Sequence, residues 1–261
     1  MIADGRAMAR AVLDRTRIRA AHLGRPPLVV AIVSNETPAT KSYLSIKGAR
    51  AEDAGCIFET RPLGATIDDA DAVIVQLPLK EGVDAKVVCD SISVSKDADV
   101  LSSTARIAFE TGEPGALLPP VVGAIEKILH SAQVVIAGQR AVVIGAGFLV
   151  GAPAATWLTR MGVAVTVLTS QSQDLSALSS ADIIVSGAGS PFFIKPEMIK
   201  EGAVLIDAGT SESGGSIVGD ADPACAPKCL LFTPVPGGVG PLAVACLFEN
   251  AVILVERNLT K

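Results

Sequence analysis

The chain has 261 residues, 49% hydrophobic and 3% aromatic, with a formal net charge of -5, enough for two modest domains that share a cleft and each bury a core. An acidic balance with so few aromatics excludes the basic, aromatic-studded surface that nucleic acid requires. Mean hydropathy is +0.48, and the windows 141–159 and 229–248 carry no charge, but glycines and prolines (Gly145, Gly147, Gly151 and Pro153; Pro234, Pro236, Gly237, Gly238, Gly240 and Pro241) break both. Both therefore read as buried α/β segments rather than membrane spans.

Residues 4–22 set Met8, Val12 and Ile18 among arginines, an amphipathic opening helix with no apolar leader core, which places the protein in the cytoplasm. Leu28 to Val33 is a strand, 34–38 its loop, and Ala39 to Ala54 a helix that carries Tyr43 and Lys47 on one face. After Cys56 only Phe58 and Thr60 precede a Pro-Leu-Gly-Ala loop. Ala72 to Leu77 is a buried strand ended by Pro78, Val87 to Ile92 a short helix, and Ser93 to Asp99 a loop. Pro119-Pro120 leads into a helix through Ile125 and Leu129. Strands then fall at Ala141 to Ile144, Val163 to Leu168, Ala181 to Val185, Val204 to Asp207 and Leu230 to Phe232, with a helix from Leu149 to Met161 and a closing helix from Ala243 to Arg257. Buried strands alternating with helices predict an α/β protein with a parallel, doubly wound sheet.

Chemistry concentrates in a few places. Gly145-Ala-Gly147-Phe-Leu-Val-Gly151 follows an apolar strand and opens a helix, where backbone N–H groups can receive a pyrophosphate over Gly147, Phe148, Leu149 and Val150. Its spacing is one residue longer than the common fingerprint, so a tight strand-to-helix turn is the competing reading. The following strand ends at Thr169-Ser170 with neither an acidic residue to grip a ribose hydroxyl nor an arginine to attract a 2′-phosphate. Gln76 lies in an apolar strand, where an unpartnered amide costs about 2–7 kcal/mol, and so requires a hydrogen-bond partner. On residue type alone, Tyr43 with Lys47 is an exposed helix pair and Asp97 with Asp99 a solvated loop. The run Pro234 to Pro241, with three prolines and three glycines, is a shaped loop and a ligand wall. Cys56, Cys89, Cys225, Cys229 and Cys246 lack metal spacing and read as reduced thiols, and His22 and His130 have no plausible partners; no metal is expected.

Several motifs, in order along nearly the whole chain, resemble the bifunctional methylenetetrahydrofolate dehydrogenase/methenyltetrahydrofolate cyclohydrolase family: Tyr43-Leu-Ser-Ile-Lys47, Val75-Gln-Leu-Pro-Leu79, Lys96-Asp-Ala-Asp99, Gly145 to Gly151, Gly202 to Gly209, Gly219-Asp220 and Pro236-Gly-Gly-Val-Gly-Pro241. The resemblance implies oxidation of 5,10-methylenetetrahydrofolate with NAD or NADP, then hydrolysis of the methenyl product to 10-formyltetrahydrofolate. It implies Lys47 as the catalytic lysine, Gln76 bonded to it, Tyr43 positioning the folate, Asp99 holding the pterin, and Pro236, Gly237 and Gly238 at the substrate. The dinucleotide falls to Gly145, Gly147, Phe148, Leu149, Val150, Thr169 and Ser170. It further implies a folate half of 1–119 plus 242–261, a Rossmann-type nucleotide half of 120–241, and a homodimer. The chain departs from the family pattern at Ala146-Gly147 (Arg-Ser there), Thr169-Ser170 (His-Ser), Val100 (Gly), Leu118-Pro119-Pro120 (Cys-Thr-Pro) and Ala243 (Thr). Two rivals remain: an NAD(P)-dependent oxidoreductase on another small substrate, and a folate-binding homologue lacking one activity.

Overall fold

The structure is a computed structural model and describes residues 1–213 and 215–259. The chain forms two compact units, one of Ala9–Pro120 with Val244–Lys261, the other of Met1–Met8 with Val121–Ala243; residues 260 and 261 of the expected folate half lie outside the described residues.

In the first unit, α1 (Gly5–Ala21) buries Ala9, Val12, Leu13, Thr16 and Ala20, spaced three and four apart on one face. Ile18, expected on that face, is 62% exposed because it sits two positions past Thr16, off the stripe. A parallel sheet of order β2-β1-β3 is built from β1 (Leu28–Val33), β2 (Ile57–Pro62) and β3 (Ala72–Val75), with α2 (Pro38–Asp53) between the first two strands. Strand β2 was not expected. It is an edge strand with no fully buried residue, so it carries no apolar run. No helix follows it in 63–71. Next come α3 (Ala85–Asp90) and α4 (Ser103–Thr111), the latter begun by the side chain of Ser102 and stopped by Gly112 at φ +74°. Val30, Ile32, Val73, Val75, Cys89, Ile92 and Leu101 form the core against β1 and β3.

The second unit contains α5 (Pro120–Ser131), β4 (Arg140–Ile144), α6 (Gly151–Arg160), β5 (Ala164–Leu168), β6 (Ile183–Ser186), β7 (Val204–Asp207), the hairpin β8 (Ser211–Ser213) and β9 (Ser216–Val218), and β10 (Leu231–Phe232). Its main sheet is parallel with order β10-β7-β6-β4-β5. The order reverses between β4 and β6, the point at which doubly wound sheets hold ligands beyond their strand C-termini. By backbone contacts Met1–Met8 group with this unit. Ala3 N–H bonds Phe232 O, Phe232 N–H bonds Met1 O, and the terminal ammonium bonds Leu230 O, so these residues extend the sheet beside β10.

Helix α7 (Val239–Leu259) ends the described chain, its first residues in the second unit and the rest in the first. It starts earlier than expected: Gly240 and Pro241 lie in its first turn, where a missing N–H has no helical partner to lose. It is long and apolar enough to cross a membrane, and 61% of that apolar window is buried within the protein. Phe248 packs edge-on against Phe58, with ring centres 6.3 Å apart.

Candidate active site

Helix α2 is started by Thr37, whose side chain accepts from Thr40 N–H, with Pro38 fixing the first turn. One turn separates Tyr43 from Lys47, so both lie on one face. Gln76 continues from β3, its N–H bonded to Ile32 O, and is 8% exposed. Its side-chain oxygen accepts from Lys47 Nζ at 2.9 Å, and its amide nitrogen donates to Leu77 O at 2.8 Å. The amide therefore meets both needs, and the partner it required is the lysine.

Burial is the main effect on Lys47 and pulls its pKa below the ordinary lysine value, while the charge of Asp99 opposes the drop. Burial raises the pKa of Asp99; Lys47 works against that rise, Asp97 adds to it and Arg106 opposes it. The four candidate residues thus divide: Lys47, Gln76 and Asp99 interact directly or through charge, while Tyr43 stands one helical turn away, 45% exposed.

The loop that presents Asp99 is held from several directions. Asp97, expected to be solvated, is buried and accepts from Leu101 N–H, Ser102 N–H and Ser102 Oγ. Lys96 Nζ donates to the carbonyls of Ile67 and Asp68, and Asn250 Nδ2 of α7 donates to Ala98 O and Leu118 O, both at 2.9 Å. Val100, which stands where the family pattern has glycine, has φ +56° and is 1% exposed. A β-branched residue at positive φ is strained, and burial holds it there.

The glycine turn of the second unit is a consequence of close backbone approach. A Cβ on Gly151 would lie 1.8 Å from Gly145 O, one on Gly145 2.8 Å from Gly187 O, and one on Gly187 2.5 Å from Val150 Cγ1. Nothing lies within 4 Å of a Cβ on Gly147, so the turn opens to free space there. Val150 supplies no side-chain cap to α6; within its first turn Ala152 N–H bonds Gly147 O at 3.1 Å and Pro153 has no N–H, so an anion there would be met at the very start of the helix, at Gly151. Thr169 and Ser170 are exposed just beyond β5, with Thr169 N–H bonded to Ser172 Oγ and Thr169 Oγ1 accepting from Gln171 N–H. Pro236, Gly237 and Gly238 lie in this same unit; Gly238 N–H bonds Pro234 O at 2.7 Å and Gly237 has φ +116°.

Sequence reasoning missed Asn250, a polar residue within an apolar helix and so the same kind of signal as Gln76. It also missed Gly187, although Ser186-Gly-Ala-Gly-Ser190 is a glycine-rich stretch after a strand. Among the described residues no His, Cys, Asp and Glu cluster is fit to hold a metal.

A parallel sheet with a glycine turn at its switch point, in a chain whose other unit holds a half-buried lysine hydrogen bonded to buried Gln76, defines a dinucleotide-dependent enzyme class. The description "Tetrahydrofolate dehydrogenase/cyclohydrolase, catalytic domain" matches residues 3–99, and "Tetrahydrofolate dehydrogenase/cyclohydrolase, NAD(P)-binding domain" matches 119–259. The chain belongs to the tetrahydrofolate dehydrogenase/cyclohydrolase family. It is 35% identical to the bifunctional protein FolD of Lacticaseibacillus paracasei over 98% of this chain and 97% of that one. Among solved structures, the bifunctional FolD enzyme of Campylobacter jejuni superposes with a TM-score of 0.94 at 29% identity, covering 99% of both chains. The FolD of Trypanosoma brucei, complexed with NADP cofactor and inhibitor, gives 0.92 at 29% identity, covering 100% of this chain and 99% of that one.

Proposed function

We propose that this chain is a methylenetetrahydrofolate dehydrogenase and methenyltetrahydrofolate cyclohydrolase. A hydride leaves the methylene carbon of 5,10-methylenetetrahydrofolate for NADP+ or NAD+, giving the methenyl cation. Water then adds to that carbon, a proton is lost, and the bond to N5 breaks to give 10-formyltetrahydrofolate. The bond between Lys47 and buried Gln76 carries this reading. Gln76 orients the amine, and burial brings it nearer neutrality, so that Lys47 can handle the proton of the attacking water. Asp99 holds the pterin, Tyr43 lies against the folate, and Pro236, Gly237 and Gly238 contact the substrate. When bound, the dinucleotide supplies the hydride acceptor; Gly145, Gly147, Phe148, Leu149 and Val150 with the α6 N-terminus hold its pyrophosphate, and Thr169 and Ser170 face its ribose.

In this reading the unit of 9–120 with 244–261 is the folate half and the other the nucleotide half. Cytoplasmic residence is supported by the free, buried cysteines Cys56, Cys89, Cys225 and Cys229, a small-molecule role without nucleic acid or membrane by the acidic balance, and a homodimer by the family resemblance. The test is steady-state oxidation of methylenetetrahydrofolate with NAD+ and NADP+ side by side, and hydrolysis of methenyltetrahydrofolate by the same preparation. Both activities are expected; hydrolysis without turnover of either dinucleotide would remove the dehydrogenase half of the proposal.

A further inference from the structure

Asp220 lies outside every residue assigned above, yet it is fully buried and its carboxylate is saturated with donors. Oδ2 accepts from Ser186 Oγ at 2.6 Å and Ala188 N–H at 2.8 Å, and Oδ1 accepts from Ser190 N–H at 2.7 Å. All three donors belong to the end of β6 and the loop after it. That loop is also tied through its backbone to the segment around Asp220: Phe192 N–H bonds Gly219 O, Ile194 N–H bonds Asp220 O, and Asp222 N–H bonds Ile194 O. The neighbouring glycines make room for the carboxylates. A Cβ on Gly209 would lie 2.2 Å from the Asp220 carboxylate, and one on Gly219 2.1 Å from Asp207 Oδ2.

The loop so held begins at Gly187, whose backbone backs directly onto Gly145 and Val150 of the glycine turn. It is therefore one wall of the crevice at the strand-order reversal, and its position fixes how far the turn is open.

Resting on the dinucleotide reading given above, we infer that Asp220 is a positioning residue for cofactor binding: it pins the loop after β6 so that the wall opposite the glycine turn is set before the dinucleotide arrives. A preset wall avoids an ordering cost at each binding event. An amide in its place would turn an NH2 toward a backbone N–H or the Ser186 hydroxyl, and one loop contact would lose its acceptor.

The test measures the NADP+ dissociation constant by titration, the hydrolysis of methenyltetrahydrofolate, which consumes no dinucleotide, and the melting temperature. It compares wild type, Asp220→Asn and Ser186→Ala. The expected result for Asp220→Asn is a dissociation constant raised about tenfold or more, with hydrolysis kept within about twofold. Ser186→Ala, which removes one contact and leaves the carboxylate, should show the same split at a smaller size, and it decides the matter if Asp220→Asn fails to fold. Unchanged NADP+ affinity in the folded variants would overturn the inference, as would parallel loss of both activities with melting temperature, which marks a structural role alone. Wild type that binds neither NADP+ nor NAD+ would overturn the dinucleotide reading and this inference with it.

Discussion

Asp207 offers the most quantitative test of how the nucleotide unit is built. Its carboxylate accepts from Gly209 N–H at 2.9 Å and Ala221 N–H at 2.8 Å and is 1% exposed. Burial is the largest influence and lifts its pKa from 3.8 to about 6; backbone bonds from Ala221, Asp220 and Gly209 oppose the rise, and the charge of Asp220 adds to it. The folded protein therefore holds this proton more tightly than the unfolded chain does. The resulting stability is fully present below about pH 4 and is lost as pH rises through about 6. At about 1.36 kcal/mol per pH unit the loss amounts to about 3 kcal/mol, a large share of the roughly 5–15 kcal/mol that holds a domain folded. The perturbation is Asp207→Asn, which keeps the shape and cannot titrate. Urea unfolding of wild type and variant from pH 3.5 to 7.5 isolates the contribution, because every other carboxyl is common to both. The wild type should lose about 3 kcal/mol relative to the variant across that range. A difference that stays flat with pH, or grows toward neutrality, would refute the argument that burial outweighs the three backbone N–H donors.

Four other outcomes are expected. Lys47→Met should cut hydrolysis of methenyltetrahydrofolate by about a hundred- to ten-thousandfold while titrated folate binding survives, and Gln76→Ala should reproduce part of that loss. A bulky residue at Gly147 should raise the cofactor KM without lowering the melting temperature, since its Cβ meets open space, whereas Gly151→Ala should damage the turn itself. With no charged discriminator beside Ser170, the ratio of kcat/KM for NADP+ over NAD+ should favour NADP+ and stay within about a hundredfold, roughly 2.7 kcal/mol. Val100→Gly should change stability by no more than about 2 kcal/mol in urea melts, because relief of about 1–3 kcal/mol of strain offsets about 1.5–3 kcal/mol of lost burial.

What the sequence made legible follows from how each element is buried. Val204–Asp207 was read to the residue because all four positions are buried and the run is continuous. Strand β2 escaped because its only half-buried positions, Phe58 and Arg61, are three apart and so break the two-residue period, and its pairing is with β1 on one side only. Helix α4 carried its signals at both ends, Ser102 and Gly112, but not an apolar run long enough to draw notice. At the site, Gln76 announced itself as a polar group in an apolar strand, whereas the difference between Asp97 and Asp99 was invisible. Two aspartates two residues apart look equivalent until the backbone of 101–102 closes on one of them and leaves the other toward Lys47. The grip of Asp220 on a loop some thirty residues away in sequence is likewise a product of the strand crossing, which no local pattern records.

The pairing of Met1–Ala3 with Leu230–Phe232 bears on biosynthesis. Met1–Ala3 add to a sheet whose adjoining strand is made 229 residues later, and the other unit waits for 244–259 before α7 is in place. Neither unit is a continuous stretch of chain, so the usual sequence of an N-terminal domain folding while the next is translated is closed to this protein. Its nascent chain keeps an unfinished sheet edge and an uncovered apolar core until residues 230–259 have been made, a period in which chaperone demand should be highest.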